Sequence, residues 1–273
     1  MANETVIQLL SDLHLERLNE KQLTEFFQAL EPEGVDILVL AGDICSTAQI
    51  PGLLPLFCRL YADSEVVYVA GNHEYYGSHP DIVHAGIGEV EKLIPNFTWL
   101  HNRAATVRGL RFVGGTLWFP RPSPEVLAQG YQGLNDFHHI QEFEPWVYNE
   151  NTICEAILRA NLPTADVVVT HHIPTGSCVS PRFRMSPINH YFCRDLTLLI
   201  EEHQPPLWLF GHTHDRMWTY IKDTKLACNP LGYLNHPEEG DPARGAYADP
   251  CLFKFFNATR GVIFAGSEPG GPK

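Results

Sequence analysis

The chain has 273 residues, 44% of them hydrophobic and 19% charged, with a net charge of −13. That length allows one large domain or two small ones, and the composition excludes a disordered, collagen-like or coiled-coil chain. No apolar run approaches the roughly 18 residues that cross a bilayer, and the acidic balance weighs against a long nucleic acid, whose binders present a basic face. An acidic chain can still act on phosphate when divalent metals supply positive charge locally. The seven cysteines are odd in number and form no closely spaced pair, so a reduced compartment fits better than a disulfide framework. The first residues lack a basic start, a long apolar stretch and a small-residue cleavage site, and the expectation is a cytoplasmic protein.

In chain order, residues 5–10 read as a buried strand, 22–30 as a helix and 35–41 as a second buried strand. Residues 53–61 read as a helix, 66–70 as a third strand and 82–93 as a helix. Strands and helices alternating at this spacing indicate βαβ units and a parallel sheet. Residues 110–114 and 116–118 read as further strand. Between Phe119 and Glu150 the pattern breaks, with prolines at 120, 122 and 124, and residues 119–150 read as an insertion or cap over the rim of a single domain. A helix over 152–160, a strand over 167–170, a helix over 191–202 and a strand over 207–210 follow. Residues 217–221, 225–228 and 252–255 read as closing antiparallel strands, and 266–273 as a frayed tail.

Five of these strands end in a polar cluster: Asp12–Leu13–His14, Gly42–Asp43, Gly71–Asn72–His73–Glu74, His171–His172 and Gly211–His212–Thr213–His214. In open α/β sheets, ligands bind outside the carboxyl ends of the strands, so the five clusters converge on one rim. Imidazole, carboxylate and amide oxygen together suit Mn, Fe or Zn better than Mg or Ca. Alternate side chains of an extended segment share a face, so Asp12 with His14, and His212 with His214, can each reach one centre. Asp12, His14, Asp43, Asn72, His171, His212 and His214 make seven candidate ligands. That is too many for one metal with an open position, and it suits two metals sharing a carboxylate. Two-metal hydrolytic sites clamp the attacking and leaving oxygens of an in-line displacement.

The order and spacing of these five blocks, over roughly residues 5–230, resemble the calcineurin-like metallophosphoesterase superfamily. The resemblance implies a four-layer α/β/β/α sandwich with two central mixed β-sheets. It assigns Asp12, His14, Asp43 and His214 to one divalent metal and Asp43, Asn72, His171 and His212 to a second, with Asp43 bridging. It implies a hydroxide between the metals as nucleophile and His73 as the catalytic group that protonates the leaving oxygen. The implied activity is hydrolysis of small phosphomonoesters or phosphodiesters. Two departures stand out. Where relatives carry GDxxD and GNHD, this chain has GDICS and GNHE, so Ser46 and Glu74 leave the carboxylate that orients His73 undefined. Asn135–Asp136–Phe137 and the segment from Asn229 to Tyr233 resemble stretches of some bacterial members, without an assigned role.

Blander readings stand beside these. Asp12 could cap a helix, Asn72 could be a turn residue and His73 a packed histidine. Only one of His171 and His172 can face inward on a strand; the resemblance favours His171 and leaves His172 to substrate contact or packing. His138 and His139 read as solvated or lining the cap, and Arg182 and Arg184 as solvated or phosphate-contacting. Trp118, Phe119 and Tyr131 read as cleft walls or core, and Cys45 as a small buried hydrophobe. Two other functions remain open: a protein-binding scaffold of the same fold, as in the retromer subunit, and a nuclease of the superfamily. The unbroken ligand series favours an enzyme over the scaffold, and the charge favours a small substrate over a polynucleotide.

Overall fold

The computed structural model of the protein describes residues 4–233, 251–256 and 261–264. β1 (Glu4–Leu10), α1 (Glu20–Ala29), β2 (Ile37–Ala41), α2 (Ile50–Leu60), β3 (Glu65–Val69) and α3 (Pro80–Leu93) alternate as the sequence predicts. β4 (Phe97–Trp99), β5 (Arg103–Val107) and β6 (Leu110–Gly115) follow, then α4 (Pro124–Gly133), α5 (Asp136–His139) and α6 (Phe143–Asn161). The chain continues through β7 (Val167–Thr170), α7 (Thr197–His203), β8 (Leu207–Phe210), β9 (Met217–Ile221) and β10 (Thr224–Cys228). It closes with β11 (Cys251–Phe256) and β12 (Gly261–Phe264).

Local chemistry explains the starts of the helices. Asn19 and Gln22 close a capping box at the head of α1, each side chain accepting from the other's backbone amide at 3.0 Å. Proline stands in the first turn of α2 and of α3, where the missing N–H has no helical partner to lose. The strands β2, β7 and β8 are apolar at nearly every position because both of their faces are covered.

Two six-stranded mixed sheets result, one ordered β12-β11-β1-β2-β3-β4 and the other β5-β6-β7-β8-β10-β9. Ile7, Leu9, Ile37, Val39 and Val67 of the first face Phe112, Val167, Leu207 and Leu209 of the second in one apolar layer. Outside the first sheet, Leu38, Leu40 and Tyr68 pack on Phe26 of α1, Phe57 of α2 and Ile87 of α3. Outside the second, Val168, Trp208 and Phe210 pack on Leu158 of α6 and Ile200 of α7. The architecture is a four-layer α/β/β/α sandwich. β1, β2 and β3 run parallel, as do β6, β7 and β8, so the ends of β1, β2, β3, β7 and β8 open on one rim.

The structure departs from the sequence reading in several places. Residues 116–118 are not strand: Leu117 and Trp118 take positive φ values of 75° and 51° and turn the chain out of the sheet. The helix expected over 191–202 begins only at Thr197, because Cys193 forms a bridge with Ile173 instead. β10 is not purely antiparallel; it pairs parallel with β8 and antiparallel with β9. Residues 119–150 carry α4, α5 and the start of α6, and Phe119, Ile140, Phe143 and Val147 are buried in the core of the first helical layer. The expected frayed tail, 266–273, lies outside the described residues.

Candidate metal centre

Each candidate ligand sits one to four residues beyond a strand, and the backbone there is unusual. Asp12, His14, Asp43 and His212 all adopt left-handed conformations, with φ of 48°, 45°, 55° and 65°. Such residues cost about 1–3 kcal/mol each and persist where their surroundings over-determine them, often at functional sites. Here a lattice of hydrogen bonds does so. Asp12 N–H donates to Gly42 O at 2.9 Å and His14 N–H to Asp43 O at 3.0 Å. His212 N–H donates to Asp12 Oδ1 at 2.8 Å, tying the two sheets together at the rim.

The glycines preceding the ligands are required by space. A Cβ on Gly71 would overlap Asp43 Oδ1 and stand 2.7 Å from His171 Cε1. Gly71→Ala therefore has to displace two candidate ligands. It is expected to lower metal content and to reduce turnover by about 100-fold or more, the usual result of misplacing catalytic groups by an ångström. Parallel metal analysis and assay check this; an alanine variant with wild-type metal content and rate would remove the packing argument.

The structure brings all seven candidates to one rim. Ligand atoms of Asp12, His14 and His214 lie within 4.8 Å of one another, and so do those of Asp43, His171 and His212. His14 Nε2 faces His214 Nε2 at 3.0 Å, and His171 Nε2 faces His212 Nδ1 at 3.1 Å. Asn72 joins the second group with Oδ1 3.1 Å from His171 Nε2. Asp43 stands between the groups, its Oδ2 3.9 Å from His14 Nε2 and its Oδ1 3.5 Å from His171 Nε2.

This donor set fits divalent cations on two counts. Buried Asp12 Oδ2 and His212 Nε2 have no hydrogen-bond partner among the described residues, a state that normally costs stability. Facing imidazole nitrogens about 3 Å apart must also share a proton or turn their lone pairs on a cation. The electrostatics differ from one candidate ligand to the next. Burial raises the pKa of Asp12. Burial acts on Asp43 in the same direction, but His171 and His73 outweigh it and hold that carboxylate well below its usual range. Burial opposes charge on His171, yet neighbouring Asp43 raises it to about 9. Burial, with His172 and His171 beside it, drives His212 well below its usual value, leaving a neutral imidazole of the kind that ligates.

His73 lies between Asp43 and His14 and joins neither of those two groups, although its ring nitrogen falls within 4.8 Å of ligand atoms of His14 and Glu16. Its backbone N–H donates to Asp43 Oδ1 at 2.8 Å, and its ring stacks on Tyr76 with centroids 4.3 Å apart. Neither residue at the departing motif positions faces it. Ser46 pairs with Gln49 and caps a short turn. Glu74 is turned inward, accepting from the amides of Asp43 at 3.0 Å, Ile44 at 2.7 Å and Gly71 at 2.8 Å. The carboxylate that reaches His73 is Glu16, with Oε1 3.3 Å from His73 Nδ1 and 3.4 Å from His14 Nδ1. Burial works against ionisation of Glu16, but those two histidines bring its pKa down to about 2. Tyr233 Oη stands 3.1 Å from His73 Nε2 on the other side.

The remaining singled-out residues separate clearly. His172 belongs to neither ligand group: its Nδ1 lies 3.1 Å from Thr116 O, its ring packs on His212 with centroids 4.3 Å apart and on Trp118, and burial lowers it to about 3. Trp118 and Phe119 are core, not cleft wall. His138 Nε2 contacts Tyr131 O at 2.8 Å, and among the described residues neither His138 nor His139 joins a metal-type cluster. Arg182 lines the cleft and pairs with Asp215 at 3.1 Å. The cleft above the ligands has a volume of about 330 Å³; Leu134, Val179, Phe183 and Phe192 supply apolar wall. Glu16, Tyr76, Asp136 and Tyr233 were invisible as site residues from spacing. Glu16 is two residues after His14, in the short helical turn Leu15–Arg17, and Asp136 and Tyr233 stand in the two stretches singled out by resemblance.

Sheets packed face to face, with carboxylate, amide and imidazole ligands gathered where their parallel strands end, define an α/β sandwich with a candidate two-cation centre. Residues 6–216 match the calcineurin-like phosphoesterase family, and the chain belongs to it. An uncharacterized protein of Acanthamoeba polyphaga mimivirus, L509, is 25% identical across 89% of this chain and 96% of its own length. Among solved structures, the phosphopantetheinyl hydrolase PptH of Mycobacterium tuberculosis superposes with a TM-score of 0.69. It is 20% identical, over 88% of this chain and 92% of that one. A dimetal phosphatase from Danio rerio has a TM-score of 0.53 at 16% identity, over 96% and 95%. No helix of the described residues is long and apolar enough to cross a membrane.

Proposed function

We propose that the protein is a binuclear metal-dependent hydrolase of small phosphoric esters. The observation that carries this reading is Asp43, placed between two groups of ligand atoms with one carboxylate oxygen toward each. Asp12, His14, Asp43 and His214 would hold one divalent cation, and Asp43, Asn72, His171 and His212 the other. When bound, such a pair polarises the phosphoryl group and makes hydroxide available near neutral pH.

The chain's own residues supply the rest. His73, buried beside Asp43, has its pKa raised: burial opposes the charge, but Asp43 and Glu16 outweigh it. That direction favours a proton on His73, the proton it would give to the leaving oxygen. Glu16 accepts from Nδ1 and turns Nε2 toward Tyr233 and the cleft. Apart from histidines, Arg182 is the one cationic side chain among the described residues lining that cleft, and it is paired with Asp215. Nothing there matches a run of phosphates, which supports a small ester over a polynucleotide. The intact ligand series together with His73 supports an enzyme over a scaffold. Six free thiols among the described cysteines support the cytoplasm as the compartment.

A panel of aryl phosphomonoester, aryl phosphodiester, cyclic nucleotides and dinucleotide polyphosphates, assayed with manganese and with metal analysis of the same sample, tests the reading. At least one small ester should turn over, chelator should abolish turnover, and salt should have little effect. A protein that binds no metal and cleaves none of the panel is not this enzyme; a steep fall of rate with salt would point to a long nucleic acid.

A further inference from the structure

Asn72 is the only candidate ligand whose donor atom depends on which way round an amide is placed. Its Oδ1 can meet a cation; its Nδ2, carrying two hydrogens, cannot. Both of those hydrogens are engaged on the side away from the centre. Nδ2 donates to Asp136 Oδ1 at 2.9 Å and to Tyr76 Oη at 3.1 Å, and Tyr76 O–H in turn donates to the same Asp136 oxygen at 2.6 Å. Asp136 is fully buried, at 0% exposure. It opens α5, and the stretch from α5 to Gln141 is fastened at two points to the residues that follow Asn72. Gly77 N–H donates to His139 O at 2.7 Å, and Gln141 N–H donates to Ser78 O at 3.0 Å.

Flipping the Asn72 amide would set its oxygen against the Asp136 carboxylate and turn N–H groups onto His171. One carboxylate oxygen and one hydroxyl thus select the orientation in which Oδ1 faces His171 and His212. We infer that Asp136, supported by Tyr76, is a positioning residue for the second cation, and that residues 119–150 are needed to build that half of the centre. The inference rests on the two-cation reading above. It also gives the Asn135–Asp136–Phe137 motif a role, Asp136 holding the amide of Asn72. Partners of this kind commonly change metal affinity by about 10–100-fold.

Equilibrium dialysis of Mn²⁺ against the full chain, with electron paramagnetic resonance of the loaded protein, separates the possibilities. Wild type should bind two ions and show the signal of a coupled pair. Asp136→Ala should bind one ion as wild type does and the other about 10–100-fold more weakly, losing the coupled signal at limiting metal. Asp136→Asn keeps an oxygen acceptor and should restore both. Tyr76→Phe leaves α5 in place and should weaken the same ion to a smaller extent, so a poorly folding alanine variant does not decide the matter. Unchanged binding in both Asp136→Ala and Tyr76→Phe overturns the positioning role while leaving the two-cation reading intact. So does an Asp136→Asn protein that is folded by its melting curve yet as weak as Asp136→Ala. A wild type that binds fewer than two ions overturns that reading and this inference with it.

Discussion

Asp43→Ala should strip metal from the centre and stop turnover in one step. Asp43 faces both ligand groups, His14 on one side and His171 on the other, and its Oδ1 also receives the N–H of His73. Its nearest carboxylate neighbours are held elsewhere: Asp12 Oδ1 by the amide of His212, and Glu74 by three backbone amides. Removing the side chain leaves each group one ligand short and takes away the charge that raises His171 to about 9. Metal content should fall from two ions per chain to one or none. A loss of several kcal/mol of charge stabilisation corresponds to a rate reduction on the order of 10³-fold or more. Elemental analysis and assay of the same preparation decide the point. Undiminished turnover in the variant removes Asp43 from the bridging position, and unchanged metal with lost turnover makes its role one of orientation alone.

The sandwich was legible because its central strands are covered on both faces, so β2, β7 and β8 stand out as unbroken apolar runs. A polar cluster directly after such a run is then conspicuous, and all seven candidate ligands were found that way. The misreadings share a different cause. Leu117 and Trp118 are apolar because they are buried in the core, not because they belong to a strand, and composition does not distinguish the two. β4 and β5 sit at sheet edges and are short or half-exposed, so they carry no hydrophobic signal above the loops. Residues 119–150 read as an insertion or cap because prolines break the pattern; Phe119 and Phe143 pack in the helical layer, and Leu134 and Asn135 line the cleft.

What surrounds the ligands was hidden for a reason of distance. Glu16 meets His73 across 57 positions, Asp136 meets Asn72 across 64, and Tyr233 meets His73 across 160. A ligand must sit at a strand end and therefore announces itself. A residue that orients a ligand can arrive from any element the fold brings near. The exchange at Ser46 and Glu74 illustrates this. The carboxylate expected at Ser46 is supplied by the turn after β1, and Glu74 ties down the backbone beneath Asp43. The sequence departs from the family pattern at both positions, and a carboxylate still reaches His73.

His73→Ala should keep both cations and lose rate, because His73 contributes no atom to the groups around Asp12 and Asp43 and clusters only with His14 and Glu16. General acid catalysis is worth about 10²–10⁴-fold, and its size depends on how badly the leaving oxygen needs a proton. The variant should be close to wild type on an ester of a strongly acidic phenol and poorest on an ester of an alkyl alcohol. Glu16→Gln retains an acceptor for His73 Nδ1 but removes the charge, so it should show the same leaving-group trend with a smaller loss, about tenfold. Measuring kcat/KM across a series of leaving groups separates these outcomes from a structural defect, which would lower every substrate alike. A uniform loss in His73→Ala, or loss of metal from it, assigns the residue to packing at the centre and leaves the proton donor to be sought elsewhere, with Tyr233, 3.1 Å from His73 Nε2, the next group in reach.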